Sequence, residues 1–217
     1  MCNLYRLRIA PDLFATLTGA PLPPSNAGEE VYPGQAGIAL SGLAGARAAA
    51  SMAWGFPLKL ASMRPESKPK PVNNIRDLAK PMWSGIARKP EWRCIIPLTA
   101  FAEAEGPKGG KTRTWFSVAD APLIGWAGLW RASAEWGPVY AGVMTDANAA
   151  VRPVHDRMPL LLDAADWDEW LTAPFDALLA MQQATFDPAR IVIDRTGEPW
   201  AAGRAAAADA GSQARLF

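Results

Sequence analysis

Prolines and glycines break this chain into short pieces, because they occupy 20 and 18 of its 217 positions. Proline removes a backbone hydrogen-bond donor and glycine favours turns, so regular elements are expected to end near them. The apolar runs between these breaks have the length and composition of β-strands. We therefore predict a fold made mostly of short strands, with a few helices.

The predicted elements alternate with loops. Strands are expected at residues 38–42, 51–56, 94–104, 112–119, 123–132, 139–145, 158–162 and 191–195. Helices are expected at residues 11–19, 76–87, 163–173 and 177–184, the second with some disruption at its proline, Pro81. Loops are expected at residues 21–36 and 62–73, with a hairpin loop at 105–111. The alanine-rich segment 201–217 is predicted to be a flexible tail that buries little.

Basic residues concentrate in the first half of the chain. Residues 1–100 hold 12 Lys and Arg against 6 Asp and Glu, a net +6, whereas residues 101–217 hold 10 against 15, a net −5. A basic half fits an anionic partner that meets one face, although a solvated surface gives the same pattern.

Cysteine and histidine are scarce, since the chain has only Cys2, Cys94 and His155. A secreted fold held by disulfides and a zinc site of the usual kind are therefore not expected. The sequence shows no signal peptide and no run of 18 apolar residues that would span a membrane. We expect a cytoplasmic protein that uses no metal or cofactor and does not bind membranes.

Cys2 is the most distinctive candidate for chemistry. Methionine aminopeptidases remove Met1 when the second residue is small, and the product carries an α-amine and a thiol on one residue. Their reference pKa values of about 8 and about 8.5 make both nucleophiles partly available near neutrality. Such a 1,2-aminothiol condenses with an aldehyde to an imine and then closes to a thiazolidine. The alternative is an accidental cysteine at this position.

Other polar positions could support such chemistry. In a strand over residues 98–104, Glu103 and Glu105 point to the same face, and Glu103 lies deeper in the apolar run. Burial there would raise the pKa of Glu103, as a general acid or base requires, unless the strand is an edge with a charged solvent face. Asn74 and Arg76 could orient a reacting group and bind a phosphate, or simply cap a helix. His155 could belong to a turn with a salt bridge.

Five motifs occur in one order along the chain: MCNLY from position 1, WGF at 54–56, NIR at 74–76, RCIIPLTAFAE at 93–103 and HDRMPLLL at 155–162. Together they resemble the SOS response-associated peptidase family, or SRAP domains, from residue 2 to about residue 173. The resemblance implies a single α+β domain, placed here over residues 1–200, with a curved, barrel-like, mostly antiparallel sheet and a few peripheral helices.

The resemblance also implies covalent capture of abasic sites in single-stranded DNA by a monomeric protein close to the bacterial nucleoid. Cys2 would be the nucleophile, and Asn74 would hold the α-amine and the sugar oxygen. Glu103 would shuttle protons, and His155 would assist opening of the deoxyribose ring.

The DNA-binding residues carried over from the family are Arg76 and Arg157, which match phosphate contacts, and Trp54 and Pro33, which lie in motifs that shape the groove. No metal ligand is implied.

The chain departs from the family at two places. Leu4 stands where many members have arginine, and Ala104 where an aromatic residue usually follows the catalytic glutamate. Arg6 or Arg8 could replace the missing charge. Two other functions remain open at this point: a cysteine hydrolase with Cys2 as nucleophile and His155 as base, and a non-catalytic module that binds single-stranded DNA.

Overall fold

The computed structural model describes residues 2–25, 28–58, 64 and 66–200. Its helices are α1 (Pro11–Thr18), α2 (Pro81–Ala87), α3 (Trp167–Thr172) and α4 (Phe175–Gln183). Single 3-10 turns lie at Pro90–Trp92, Ala164–Asp166 and Pro188–Arg190. The strands are β1 (Tyr5–Arg6), β2 (Glu30–Val31), β3 (Ala36–Ser41), β4 (Ala48–Trp54), β5 (Phe56–Leu58), β6 (Lys70–Val72), β7 (Asn74–Ile75), β8 (Arg93–Leu98), β9 (Ala100–Glu105), β10 (Thr112–Val118), β11 (Ile124–Ser133), β12 (Gly137–Asp146), β13 (Arg157–Pro159), β14 (Leu161–Leu162) and β15 (Ile191–Pro199).

Five strands close into a barrel in the order β3, β4, β12, β11 and β8, with β8 pairing back to β3. Four of these pairings are antiparallel, and β12 runs parallel to β4. The short strands β7, β13 and β14 extend the barrel at its margins. The fold is therefore α+β on a curved, mostly antiparallel sheet, which confirms the predicted class.

A second sheet lies against the barrel, with the antiparallel order β15, β10, β9, β1 and β2. Its inner face contributes Tyr5, Phe101 and Phe116 to a buried cluster shared with Trp54 and Trp126 of the barrel. The rings meet edge to face, with centroids of Tyr5 and Trp54 5.1 Å apart and those of Trp54 and Trp126 5.7 Å apart. This aromatic packing fixes β1, and with it the start of the chain, against the barrel.

The helices cover another part of the barrel. Their buried side chains join a second apolar cluster with the barrel strands, and this cluster includes Phe14, Trp83, Trp167, Trp170 and Leu178. Full burial of a large apolar side chain stabilises the fold by about 1.5–3 kcal/mol. In the described ranges, no helix is long and apolar enough to cross a membrane.

The predicted strand over residues 94–104 is wrong as a single element. The chain leaves the barrel after β8 and enters the second sheet as β9, and Thr99 lies between the two. Thr99 donates from its backbone to the Arg6 carbonyl at 2.8 Å and from its hydroxyl to the same oxygen at 3.0 Å. One apolar run therefore provides strands to two different sheets, and its composition does not reveal where the chain passes from one sheet to the other.

Other boundaries also differ from the prediction. Helix α2 begins at Pro81 rather than at residue 76, because proline at the first helical position has no donor to lose there. The predicted loops at 21–36 and 62–73 contain the short strands β2 and β6, and residues 158–162 divide into β13 and β14. The predicted tail, 201–217, lies outside the described residues.

Candidate active site

The start of the chain runs along β9 towards Glu103. Tyr5 pairs with Phe101, and the backbone of Ala102 donates to the Leu4 carbonyl at 2.9 Å, so the ladder continues beyond β1. Continuing this antiparallel register by one residue places Asn3 across from Glu103. Cys2 follows next along the chain, and the Glu103 charge raises the pKa of its thiol, so these two residues, distant in sequence, lie near each other.

Cys2 is buried and anchored by two asparagine side chains. Its carbonyl accepts from Asn73 Nδ2 at 3.1 Å and from Asn74 Nδ2 at 2.6 Å. Its Sγ donates to the Leu4 carbonyl at 3.5 Å. Burial raises the pKa of the Cys2 thiol well above its usual value, and the nearby Glu103 charge raises it further. The thiol is therefore protonated near neutrality and needs a base to react.

Asn74 lies on β7, which pairs in parallel with β12. Its Nδ2 is committed to the Cys2 carbonyl, whereas its Oδ1 is buried and accepts no hydrogen bond from the residues described. An unpaired buried carbonyl oxygen costs about 1–3 kcal/mol, so it is an available acceptor for a donor brought by a substrate or by the mature N-terminus. Asn73, which sequence reasoning missed, also donates to Asn3 Oδ1 at 3.2 Å.

Glu103 and Glu105 occupy very different environments on β9. Glu103 is 3% exposed, and burial raises its pKa to about 7, with the Asp156 charge raising it as well. Glu105 accepts from the Thr114 hydroxyl at 2.5 Å and from Arg195 Nε at 3.0 Å, and these bonds lower its pKa. The environment of Glu103 is the one that the sequence predicted for an acid–base group.

His155 lies in the segment between β12 and β13. Its Nδ1 lies 3.0 Å from the Arg157 backbone nitrogen, 3.2 Å from the Arg157 carbonyl oxygen and 3.0 Å from Asp156 Oδ1, so the tautomer decides which of these hydrogen bonds it forms. Partial burial lowers its pKa, so the imidazole is mostly neutral at pH 7. Because Asp156 also acts on Glu103, this segment lies near the end of β9. A small cavity of about 50 Å³ is lined by Arg76, Met144, His155, Asp156 and Arg157.

Arg76 and Arg157, which the resemblance assigns to phosphate contacts, lie next to each other. Arg157 donates from Nη2 to the Arg76 carbonyl at 2.6 Å and from Nη1 to Asp146. Both line a wider cleft of about 520 Å³, whose walls also include Lys80 and Gln182. Lys80 is an exposed cation that sequence reasoning missed, although its place just before a helix-starting proline was visible.

Trp54 and Pro33 lie behind the site. Trp54 is fully buried, and its Nε1 donates to the Asn73 carbonyl at 3.0 Å. Pro33 belongs to a turn whose Gly34 backbone donates to the Trp54 carbonyl at 2.7 Å. In this structure Trp54 supports the asparagine pair from beneath, and contact of either residue with DNA stays a prediction.

Arg6 and Arg8, which could replace the arginine missing at position 4, already form ion pairs in this structure. Arg6 donates to Glu30 at 2.9 Å and stacks over the Trp115 ring at 3.9 Å. Arg8 pairs with Glu29 at 2.6 Å. In the part of the chain described, no group of three or more His, Cys, Asp and Glu residues could hold a metal ion.

Comparison with known proteins places this geometry in a family. Residues 1–191 match the family model described as SOS response associated peptidase, SRAP. A Bordetella bronchiseptica protein of known crystal structure superposes with a TM-score of 0.74 at 24% identity, covering 90% of this chain and 99% of the other. A Bacteroides thetaiotaomicron protein gives 0.72 at 17% identity, covering 89% and 91%. A phage-related protein of Bordetella bronchiseptica gives 0.67 at 22% identity, covering 90% and 94%. These structures share the fold, and no curated protein matches the chain significantly.

Proposed function

This chain belongs to the SOS response-associated peptidase family, and we propose that it captures abasic sites in single-stranded DNA through a covalent bond to Cys2. The observation that carries the proposal is the arrangement at the start of the chain. A buried thiol lies beside a carboxyl group whose pKa is about 7, and two amides hold the backbone of the same residue.

The proposed reaction begins after removal of Met1, which leaves the α-amine on Cys2. The amine attacks the aldehyde carbon of the ring-opened abasic sugar, and loss of one water gives an imine. The Cys2 sulfur then bonds to the imine carbon, while its proton is transferred to the nitrogen. The product is a five-membered thiazolidine that joins protein and DNA, and the reaction needs no oxidant or reductant.

The electrostatics of the site suit the ring closure. The raised pKa of Cys2 keeps the thiol protonated at neutral pH, so sulfur attack requires a proton acceptor nearby. Glu103, with a pKa of about 7, is present in both protonation states near neutrality. A group of this kind can accept the thiol proton and can also protonate the hydroxyl that leaves during imine formation.

Asn74 and His155 have supporting roles in this proposal. The unpaired Oδ1 of Asn74 is a suitable acceptor for the α-amine, and the side chain already holds the Cys2 carbonyl. Partial burial lowers the pKa of His155, so it is present as a neutral imidazole that carries one ring N–H. In this proposal the imidazole donates a proton to the sugar ring oxygen when the ring opens.

The family name suggests peptidase-like activity, for which Cys2 and His155 would form a nucleophile and base. Such a pair works through a thiolate beside an imidazolium, which needs a lowered thiol pKa. Here the pKa of Cys2 is raised and that of His155 is lowered, both mainly by burial. The two pKa shifts oppose formation of a thiolate–imidazolium pair between Cys2 and His155, so they favour cross-linking over hydrolysis.

The proposal is tested with single-stranded DNA that carries one abasic site. We expect a protein–DNA band that survives denaturation and disappears after proteinase treatment. Cys2→Ala should abolish it, and Cys2→Ser should leave at most an imine trapped by borohydride. Cys94→Ala is the matched control, because Cys94 is equally buried but lies within β8.

Two outcomes would contradict the proposal. One is a stable cross-link at the wild-type level in Cys2→Ala. The other is multiple turnover of a peptide substrate by a protein that forms no DNA cross-link, since a cross-linker stops at one equivalent.

A further inference from the structure

A second groove lies at the hairpin end of the second sheet, apart from the Arg76–Arg157 cleft. We call it the hairpin groove, and it is lined by residues 109–112 and by Pro199 and Trp200. Its volume is about 400 Å³. Thr112 pairs with Glu105 on one side and with Pro199 on the other, so the groove joins the hairpin between β9 and β10 to the end of β15.

Trp200 forms one wall of the hairpin groove. Its backbone donates to the Lys111 carbonyl at 2.9 Å, which fixes it beside the hairpin. Its half-buried ring packs against the apolar patch of Leu4, Ala102 and Trp115. The ring is therefore held on a rigid base with part of its surface open to solvent, as a stacking platform requires.

The charge at the hairpin groove is positive. Lys108 and Lys111 are exposed and form no ion pair within the described part of the chain. The neighbouring acids are already paired, Glu105 with Arg195 and Glu198 with Arg113. Free cations beside neutralised carboxylates favour an anionic ligand.

The hairpin groove lies at the end of the strand pair that carries Glu103. Burial raises the pKa of Glu103 and lowers that of His155, and among the smaller influences the charge of Lys111, in the wall of the groove, lowers both. Glu103 lies across from Thr114, two residues along β10 from Thr112 in the wall of the groove. A DNA strand that extends from Cys2 around the hairpin end of this sheet would reach the groove.

We propose that the hairpin groove binds the DNA strand on one side of the abasic site, with a base stacked on Trp200 and a phosphate paired with Lys111. The inference rests on the proposed function and adds to it a second binding site for the DNA strand, beyond the Arg76–Arg157 cleft. An aromatic ring with adjacent free lysines fits a single strand, because every base offers a face for stacking and every nucleotide a charge.

The test separates binding from reaction. The probe is labelled single-stranded DNA with a tetrahydrofuran residue, which lacks the aldehyde and cannot cross-link. We expect Trp200→Ala to raise the Kd about five- to tenfold, Trp200→Phe to restore most of the affinity, and Lys111→Gln to weaken binding and reduce its salt dependence. Trp136→Ala is the matched control, because Trp136 is also half-buried in a hairpin but has Glu135 beside it.

A second probe shows whether the loss reflects stacking. In this probe the bases flanking the lesion are replaced by tetrahydrofuran residues. Wild type and Trp200→Ala should then bind equally, which a purely structural defect would not produce. Kd values of Trp200→Ala and Lys111→Gln within twofold of wild type on the first probe would overturn the inference. Salt-dependent binding that needs Trp200 but never yields a cross-link to a true abasic site would support the groove and overturn the proposed function.

Discussion

Replacing Glu103 with glutamine should stabilise the protein at alkaline pH. Burial raises the pKa of this carboxyl from 4.5 to about 7, so the folded state retains a proton that the unfolded state loses. Stability from this group is complete below about pH 4.5 and is lost as pH rises through about 7. The rise of about 2.5 in pKa corresponds to about 3 kcal/mol, at roughly 1.4 kcal/mol per pKa unit. Glu103→Gln should therefore exceed wild type by up to about 3 kcal/mol at pH 8 or above and differ little near pH 4.5.

The measurement is urea unfolding of both proteins at pH 4.5, 6 and 8. Glu105→Gln is the control, because the Thr114 hydrogen bond lowers the pKa of Glu105 and predicts the opposite sign at neutral pH. An equal stability difference between Glu103→Gln and wild type at all three pH values would contradict the raised pKa of Glu103.

The same substitution should impair the proposed reaction. Glutamine keeps the size and a hydrogen bond but exchanges no proton, so single-turnover cross-linking at pH 7 should slow by at least about tenfold. The wild-type rate should titrate with a midpoint near pH 7, and that inflection should disappear in the variant. If Glu105→Gln is the impaired protein instead, the acid–base role belongs to Glu105 and the motif alignment is displaced by two residues.

Three further outcomes are expected. Arg76→Ala and Arg157→Ala should each reduce the slope of log affinity against log salt by up to about one unit. The reduction should be smaller for Arg157→Ala, because Asp146 already pairs with Arg157. Unchanged slopes in both variants would contradict the assignment of these residues to phosphate contacts. His155→Ala should slow cross-linking most for a sugar that is mainly ring-closed, and equal slowing on a substrate supplied as the open aldehyde would contradict its role in ring opening. Gly142→Ala should destabilise the fold by about 1–3 kcal/mol in thermal or urea unfolding, because a Cβ at this position would lie 2.0 Å from the Trp126 ring. Unchanged stability would mean that the Trp126 ring can shift.

Much of the sheet could be predicted from the sequence, since strands such as β10, β11 and β12 are apolar runs bounded by turn residues. The exchange of strands between sheets at Thr99 could not be predicted, because it depends on hydrogen bonds to Arg6, 93 residues away. The same holds for the parallel pairing of β4 and β12, which is decided by closure of the barrel.

The candidate site likewise combines features that the sequence predicts with features that depend on tertiary contacts. The depth of Glu103 in its apolar run correctly predicted a raised pKa, since strand position determines burial. The amides of Asn73 and Asn74 on the Cys2 carbonyl could not be predicted, because they join residues about 70 positions apart. Trp54 was expected in the groove, yet its indole lies buried beneath Asn73, a position that only the tertiary packing determines.

The two departures from the family lie on the face of the second sheet opposite the proposed chemistry. Neighbouring residues of a strand point to opposite faces, so Leu4 faces away from Tyr5, and Ala104 faces away from Glu103. The Leu4 side chain is accordingly buried in the apolar patch with Ala102 and Trp115, whereas the Leu4 carbonyl accepts from the Cys2 thiol. A leucine at position 4 and an alanine at 104 therefore leave the face that carries Glu103 unchanged, and Leu4 adds to the buried apolar patch of the other face. Trp200 packs against the same patch, so an aromatic ring covers this face without one at position 104.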